Sequence, residues 1–536
     1  MLRALVGQAM VFCGLSNFCG LSGAALAQQI TQRTEMVPMR DGVKLSTDLY
    51  LPEGKGPFPV LVTRSPYNKN GERRRGAFFA QHGYVFVAQD CRGRFASEGE
   101  FYPLIHEARD GYDPIEWAAA QPWSCGKVGT TGASYLAIDQ YAAAIENPPH
   151  LLAMYAAVGS ENFYYDSTYA GGIPSLGWPV WNLFMASTDS KLDDAARTRL
   201  SAVVKDPDPW LRQSPADRAA LLAPFAAYKR GYDDFYAHSR FDDYWKQVGF
   251  DTADYYARLK DVPILFLSGW YDQFADATIR NFTELRAHHK TQKRLIMGPW
   301  PHGYGKAECG DASFGKDGEL DENALQLDWF DHWLIGAPFG TPGAEPVRYF
   351  RMGGQDGHDA KGRLTPGGEW KTALTWPPKS APKQFPAASG TYDYDPKDPA
   401  PTKGGRYNSQ CIQDQKLQRP DILTSLSEPL DAPLNITGKV EANVSITSAA
   451  PSVDVVVKLI DVYPDGYAAL ILEGATRVTP PVKAKVDLGS TSNLFAKGHR
   501  VRIDVTSSSF PRLEPNPHVA KVTIEPGSYV EVPVVR

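Results

Sequence analysis

Four short apolar runs, 59–63, 84–89, 128–131 and 152–158, lack the clean in-and-out alternation of a half-exposed strand. That is the pattern of strands buried on both faces. A helical stretch at 107–120 separates two of them, and another at 136–147 follows the third. Strand and helix therefore alternate, as in a parallel sheet covered on both sides. Upstream, 36–39 and 44–51 flank Asp41-Gly42, a hairpin turn. The alternation stops after Gly159. From 159 to 250 the chain is rich in aromatics, alanine and charge, with helical stretches such as 215–228. It then resumes with 264–268 (strand), 277–289 (helix), 294–297 (strand) and 322–336 (helix). An insertion between two parts of one sheet accounts for this, placed over the C-terminal strand ends where open α/β sheets keep their ligands. Beyond 346, β-rich runs at 440–447, 453–462, 468–473, 482–488 and 501–506 predict an antiparallel sandwich. The polar, Pro/Gly/Lys-rich stretch 378–418 is expected to be irregular.

A chain of 536 residues exceeds one ordinary core. Its net charge of -5 is mild and argues against nucleic acid or a membrane surface as partner. The N-terminus reads as an export signal. Arg3 supplies a positive start, 9–21 is apolar, and Ala25-Leu26-Ala27 offers a cleavage site before Gln28. The apolar part is shorter than the ~20 residues of a spanning helix. Phe12 and Phe18 before Cys13 and Cys19 argue against a lipoprotein. Residues 1–27 are thus expected to be a signal peptide, leaving no membrane anchor and a periplasmic or secreted protein. Cys91, Cys125, Cys309 and Cys411 would remain, with three possible pairings. Cys309 with Cys411 is the favoured bridge, between two loop regions; four buried thiols is the alternative.

The chemistry begins at Thr131-Gly132-Ala133-Ser134-Tyr135-Leu136-Ala137, where a strand runs into a helix. A serine at such a turn holds its hydroxyl clear of the backbone, and the N–H of Tyr135 points into the same space. Serine needs a base and a group to orient that base. Asp272 follows the strand at 264–268 in Gly269-Trp270-Tyr271-Asp272. His302 follows the strand at 294–297 in Gly298-Pro299-Trp300-Pro301-His302. Both lie just past strands, in the order Ser, acid, His. Asp276 is a second candidate acid, and Ser97 and Ser268 are poorer nucleophiles. After the first strand, Arg64-Ser65-Pro66-Tyr67 offers the Tyr67 hydroxyl as a second oxyanion donor. No His/Asp/Glu set has the spacing of metal ligands, and no cofactor is called for.

These motifs, with Gln89-Asp90-Cys91-Arg92-Gly93-Arg94-Phe95-Ala96-Ser97-Glu98-Gly99, resemble the cocaine esterase and X-Pro dipeptidyl-peptidase family over nearly all of the mature chain. Leu459-Ile460-Asp461-Val462-Tyr463-Pro464-Asp465-Gly466 is similar to that family's C-terminal jelly roll. The resemblance implies an α/β-hydrolase domain (28–158 and 251–345), an inserted helical cap (159–250) and a jelly-roll-like sandwich (346–536). It also implies that Tyr67 and the Tyr135 N–H hold the oxyanion. Ala137 stands where the family usually has glycine, which raises a question of packing in the elbow helix. The family's α-amino-acid ester hydrolases bind the substrate ammonium with a carboxylate cluster, including two acids shortly after the catalytic Asp. This chain has Gln273-Phe274-Ala275 there, with Glu161 and Asp166 as substitutes only if they converge.

The expected activity is hydrolysis of small carboxylic esters through an acyl-enzyme, with Ser134, Asp272 and His302 as the triad. Phe163, Tyr164, Trp178, Trp181, Trp270 and Phe274 are candidates for lining a hydrophobic or aromatic acyl pocket. The alternatives are an amidase or peptidase on the same triad, and a non-catalytic ligand- or glycan-binding protein. Assembly into a homo-oligomer is left open.

Overall fold

The computed structural model describes residues 30–340 and 345–536; the expected signal peptide and its cleavage site lie outside them. The first strands are β1 (Thr31–Pro38), β2 (Lys44–Leu51), β3 (Phe58–Ser65), β4 (Val85–Asp90), β5 (Ser124–Ala133) and β6 (Leu151–Ala157). After the insertion come β7 (Ile264–Tyr271), β8 (Lys293–Pro301) and β9 (Val347–Gly353). They lie in the order β1-β2-β4-β3-β5-β6-β7-β8-β9. The hairpin β1–β2 is antiparallel, as is β2 against β4; from β4 onward every neighbour is parallel. Helices α1 (Arg73–Gln81), α2 (Glu107–Ala119) and α3 (Tyr135–Ile145) cross between the early strands. All of α3 is buried, so its apolar surface runs around the whole helix rather than along one stripe.

The insertion is helical: α4 (Gly177–Ser187), α5 (Asp194–Lys205), α6 (Asp208–Leu211), α7 (Pro215–Leu222) and α8 (Ala226–Ala237). The single helix expected at 215–228 is therefore two. Phe225 at φ −120°, ψ 77° interrupts it and is buried in the cap's aromatic core. Helices α9 (Ala275–His288) and α10 (Glu322–Phe330) complete the first domain.

The C-terminal region is two antiparallel sheets. One orders Leu423–Leu426, Arg500–Thr506, Val453–Val462 and Ala468–Val478; the other contains Gly390–Tyr394, Ala520–Ile524, Leu434–Thr447 and Val482–Phe495. The stretch 378–418 is not wholly irregular. Ala381–Pro386 pairs with Tyr529–Val534, and Gly390–Tyr394 pairs with Ala520–Ile524. The first of these is an exposed strand carrying Pro382, Lys383 and Pro386, residues that suit a sheet edge and obscure a strand in sequence. The strand β9, beyond Pro346, belongs to the first sheet and continues it into the second domain through Met352↔Asn493 and Gly353↔Leu494.

The two domains are joined by partly buried polar contacts. Arg406 donates from Nε to the Trp270 carbonyl (3.0 Å) and from Nη2 to the Ser490 carbonyl (2.8 Å), and pairs with Asp276 through Nη1 (2.5 Å). Arg218 and Tyr236 of the cap both reach Glu514. Within the second domain, His499 lies wholly buried between Asp461 (2.7 Å) and Asp356 (2.9 Å). Cys309 and Cys411 form a disulfide across 102 residues, Cys91 is buried and Cys125 is exposed. Among the described residues no helix is long and apolar enough to cross a membrane.

The bridge should stabilise mainly by restricting the unfolded chain. A loop of this length corresponds to roughly 2–5 kcal/mol. Cys309→Ser with Cys411→Ser is expected to lower the thermal midpoint, and reductant to lower the wild type to the same value. Equal midpoints in oxidised, reduced and double-variant protein would show that the bridge carries no stability.

Candidate active site

Ser134 sits between β5 and α3 at φ 61°, ψ −122°, a conformation that costs a non-glycine residue of order 1–3 kcal/mol. Its surroundings impose it. The Ser134 N–H donates to the Ala157 carbonyl (2.9 Å), completing the rungs of β5 on β6. The Ser134 carbonyl accepts from Ala137 (2.9 Å) and Ile138 (3.1 Å), opening the helix. Gly132 is required by space: a Cβ there would lie 2.4 Å from the Leu136 Cβ. Ala137, the residue whose packing was in question, fits because it faces another glycine. A Cβ on Gly159 would lie 3.0 Å from the Ala137 methyl.

A serine opening a helix ordinarily turns its hydroxyl onto the helix's own N–H groups. Ser134 makes no such bond. Its Oγ lies 2.9 Å from His302 Nε2, and His302 Nδ1 lies 2.5 Å from Asp272 Oδ2. The Asp272 carboxylate is fully buried and also accepts from the Phe274 N–H (2.6 Å). The His302 side chain is 19% exposed and Ser134 is partly exposed, so the row opens from a dry acid towards solvent.

The arrival of His302 depends on a break in register. Pairing of β8 on β7 shifts between Gly298 and Pro301. Such a bulge re-aims the residues beyond it. A Cβ on Gly298 would lie 2.2 Å from the Trp300 ring, and one on Gly269 would lie 2.1 Å from the Trp300 carbonyl. The two glycines make room for that tryptophan, whose indole is anchored on the Gly318 carbonyl (2.5 Å).

The Tyr67 ring meets the Tyr135 ring edge-on, with centroids 6.3 Å apart. The Tyr135 N–H lies in the first turn of α3, where helix N–H groups lack intrahelical acceptors. The Tyr135 phenol donates to Glu107 (2.7 Å) and accepts from the Leu104 N–H (2.9 Å). Glu107 is in turn paired with buried Arg64. Asp139 lies beside them, its carboxyl held well above the usual carboxylate range by burial. Cys91, Glu107 and Asp139 bring ligand atoms within 4.8 Å of one another, but Arg64 already supplies that cluster with its positive charge.

The remaining candidates serve elsewhere in the structure. Asp276 is engaged at the domain interface: it holds Arg406 and accepts from the Ser490 N–H (2.8 Å). Burial favours its neutral form, but Arg406 and Arg280 hold its carboxyl below the usual range. Ser97 Oγ donates to the Asp90 carbonyl and accepts from Ser46, as a structural brace. Glu161 and Asp166 do converge, but on Arg280, which pairs with both. The six pocket candidates divide. Phe274 packs edge-on against the His302 imidazole, 5.7 Å between centroids. Trp181 stacks on Tyr135 and on Trp178, and Phe163 meets Trp178 edge-on. Trp270 and Tyr164 are corrections. Trp270 is turned into the domain interface, donating to the Phe350 carbonyl (2.7 Å) against Trp376. Tyr164 is enclosed in the cap by Tyr169 and Trp245, donating to the Ser239 carbonyl (3.0 Å). In both, a backbone carbonyl takes the indole or phenol proton, a demand that composition does not reveal.

Sequence reasoning missed Arg94. It is fully buried, donating from Nε to the Pro66 carbonyl (2.8 Å) and from Nη1 to the Met185 carbonyl (3.0 Å). It thus ties the Tyr67 loop to the C-terminal end of α4. Its position in Arg92-Gly93-Arg94 was the available signal.

A family model described as X-Pro dipeptidyl-peptidase (S15 family) matches residues 41–304, and one described as the X-Pro dipeptidyl-peptidase C-terminal non-catalytic domain matches 341–531. The cocaine esterase of Rhodococcus sp. (strain MB1 Bresler) is 31% identical over 91% of this chain and 92% of its own. The chain belongs to the cocaine esterase and X-Pro dipeptidyl-peptidase family. It is a serine hydrolase. Among solved structures, an aminopeptidase from a marine sediment Thaumarchaeota archaeon superposes with a TM-score of 0.78 at 21% identity, covering 98% of this chain and 99% of that one. An α-amino acid ester hydrolase superposes with a TM-score of 0.77 at 24% identity, covering 96% and 98%. Both carry the same fold.

The geometry distinguishes the two acids. Asp272→Asn is expected to lower kcat by roughly 10³–10⁴-fold with the protein still folded. Asp276→Asn is expected to leave kcat within about twofold and to lower the thermal midpoint, since it leaves Arg406 short of its partner. Steady-state kinetics and melting curves on both variants check this.

Proposed function

We propose that the chain is an exported esterase that cleaves small carboxylic esters through an acyl-enzyme. Ser134 Oγ attacks the ester carbonyl while His302 Nε2 takes its proton. Asp272 holds the Nδ1 proton, fixing the tautomer and stabilising the imidazolium. The Tyr67 hydroxyl and the Tyr135 N–H hold the tetrahedral oxyanion. His302 then gives the proton to the departing alcohol, and water repeats the sequence on the acyl-serine. The observation that carries this reading is the unbroken row Ser134 Oγ, His302, Asp272, at 2.9 Å and 2.5 Å.

The acyl group proposed is hydrophobic or aromatic. Phe274 against His302 and the stacked Trp181 and Trp178 beside Tyr135 support it. An amidase or peptidase reading has a specific support, the family model that matches 41–304. Recognition of a substrate ammonium is disfavoured, because Glu161 and Asp166 are already engaged by Arg280. Export is supported by the N-terminal sequence and by the Cys309–Cys411 bridge, which suits an oxidising compartment.

A fluorophosphonate probe is expected to label the wild type stoichiometrically at Ser134 and to leave Ser134→Ala unlabelled. Paired aryl-acyl esters and amides should then give a kcat/KM ratio of at least ~10² in favour of the ester. Folded protein that takes no label would make this a binding protein, and amide turnover matching the ester would make it an amidase.

A further inference from the structure

The reaction scheme above makes no use of a polar contact at the Tyr67 hydroxyl. The Trp181 indole N–H donates to the Tyr67 phenol oxygen at 3.1 Å. Trp181 lies on α4, in the insertion, whereas Tyr67 follows β3 in the first domain. A contact between them fixes a catalytic group of one layer by a side chain of another.

Both partners are held from behind. The Trp181 ring is stacked at 17° on Trp178 (4.7 Å) and at 17° on Tyr135 (6.2 Å). The Tyr67 N–H donates to Ser65 Oγ (3.1 Å). Arg94 grips the carbonyl of Pro66, next to Tyr67, and the Met185 carbonyl and Thr188 hydroxyl at the far end of α4. Its planar guanidinium therefore sets the spacing between the loop and the helix that meet at this bond. Among the described residues, the Tyr67 hydroxyl accepts from Trp181, and no protein acceptor takes its proton.

A phenol oxygen that accepts a fixed N–H has its own proton directed elsewhere, and hydrogen bonds in such a chain strengthen one another. Burial pushes the Tyr67 phenol upward, and the Trp181 N–H pulls it back. We propose that Trp181 is a positioning residue of the reaction: its indole N–H locks the Tyr67 hydroxyl so that the phenolic proton is presented to the oxyanion and donated more strongly. This inference rests on the oxyanion role assigned to Tyr67 above.

Trp181→Phe removes the N–H and keeps an aromatic ring in the stack. It is expected to lower kcat on an aryl-acyl ester roughly five- to tenfold, the scale of one neutral hydrogen bond, while KM moves less than about twofold. In a Tyr67→Phe background the same substitution should change kcat by less than about twofold, because the oxygen through which it acts is gone. Replacing Trp181 with its sulfur isostere 3-benzothienylalanine keeps ring size and should reproduce the loss seen in Trp181→Phe; it also serves if the phenylalanine variant fails to fold. Three results overturn the inference: no loss of kcat in either replacement, a loss confined to KM, or the same fold-loss with and without the Tyr67 hydroxyl. If Tyr67→Phe alone leaves kcat intact, the oxyanion role of Tyr67 falls, and this inference with it.

Discussion

The backbone bend at Ser134 is the constraint on which the site depends. At φ 61° the chain turns from β5 into α3 within one residue, which throws the hydroxyl out of the sheet and leaves the first N–H of the helix beside it. Such a bend is not stable by itself. The Ala157 carbonyl holds its N–H, two helix N–H groups hold its carbonyl, and the missing side chain of Gly132 gives it room. The serine hydroxyl and that helix N–H thus come from one turn, and their relative placement is fixed by it.

The other members of the row are brought to that turn by the ends of β7 and β8, and those ends are braced by the second domain. Trp270, just before Asp272, gives its carbonyl to Arg406 and its indole to Phe350. Asp276, at the start of α9, closes the same contact. Seven residues beyond His302, Cys309 is bonded to Cys411 of the second domain. The sandwich contributes no atom to the row of three, but it fixes the segments that carry two of its members. The cap acts on the third element of the site, the Tyr67 loop, through Arg94 and Trp181.

The meeting of Ser134, His302 and Asp272 was legible in the sequence because each lies just past an apolar run, and strand ends on one side of a parallel sheet converge. The Cys309–Cys411 pairing was legible in part, as the favoured of three. Contacts between distant segments were not. Nothing local marks Trp270 as an interface residue, since its acceptor lies 80 residues away. Glu161 and Asp166 looked like free acids because Arg280, their shared cation, lies in a different element. The edge strand Ala381–Pro386 was hidden because its prolines and lysine suit solvent exposure rather than a core. The elbow of the His302 approach was written as Gly298-Pro299-Trp300-Pro301, but only the packing of Trp300 explains why glycine stands at both 269 and 298.

The most direct test is a crystal structure of the protein carrying an aryl phosphonate on its nucleophile. The account predicts phosphorus bonded to Ser134 Oγ, with one phosphoryl oxygen about 2.7–3.1 Å from both the Tyr67 hydroxyl and the Tyr135 N–H, and His302 still on Asp272. Phosphorus on any other side chain, or a Ser134 adduct whose oxygens all face away from both donors, would contradict it.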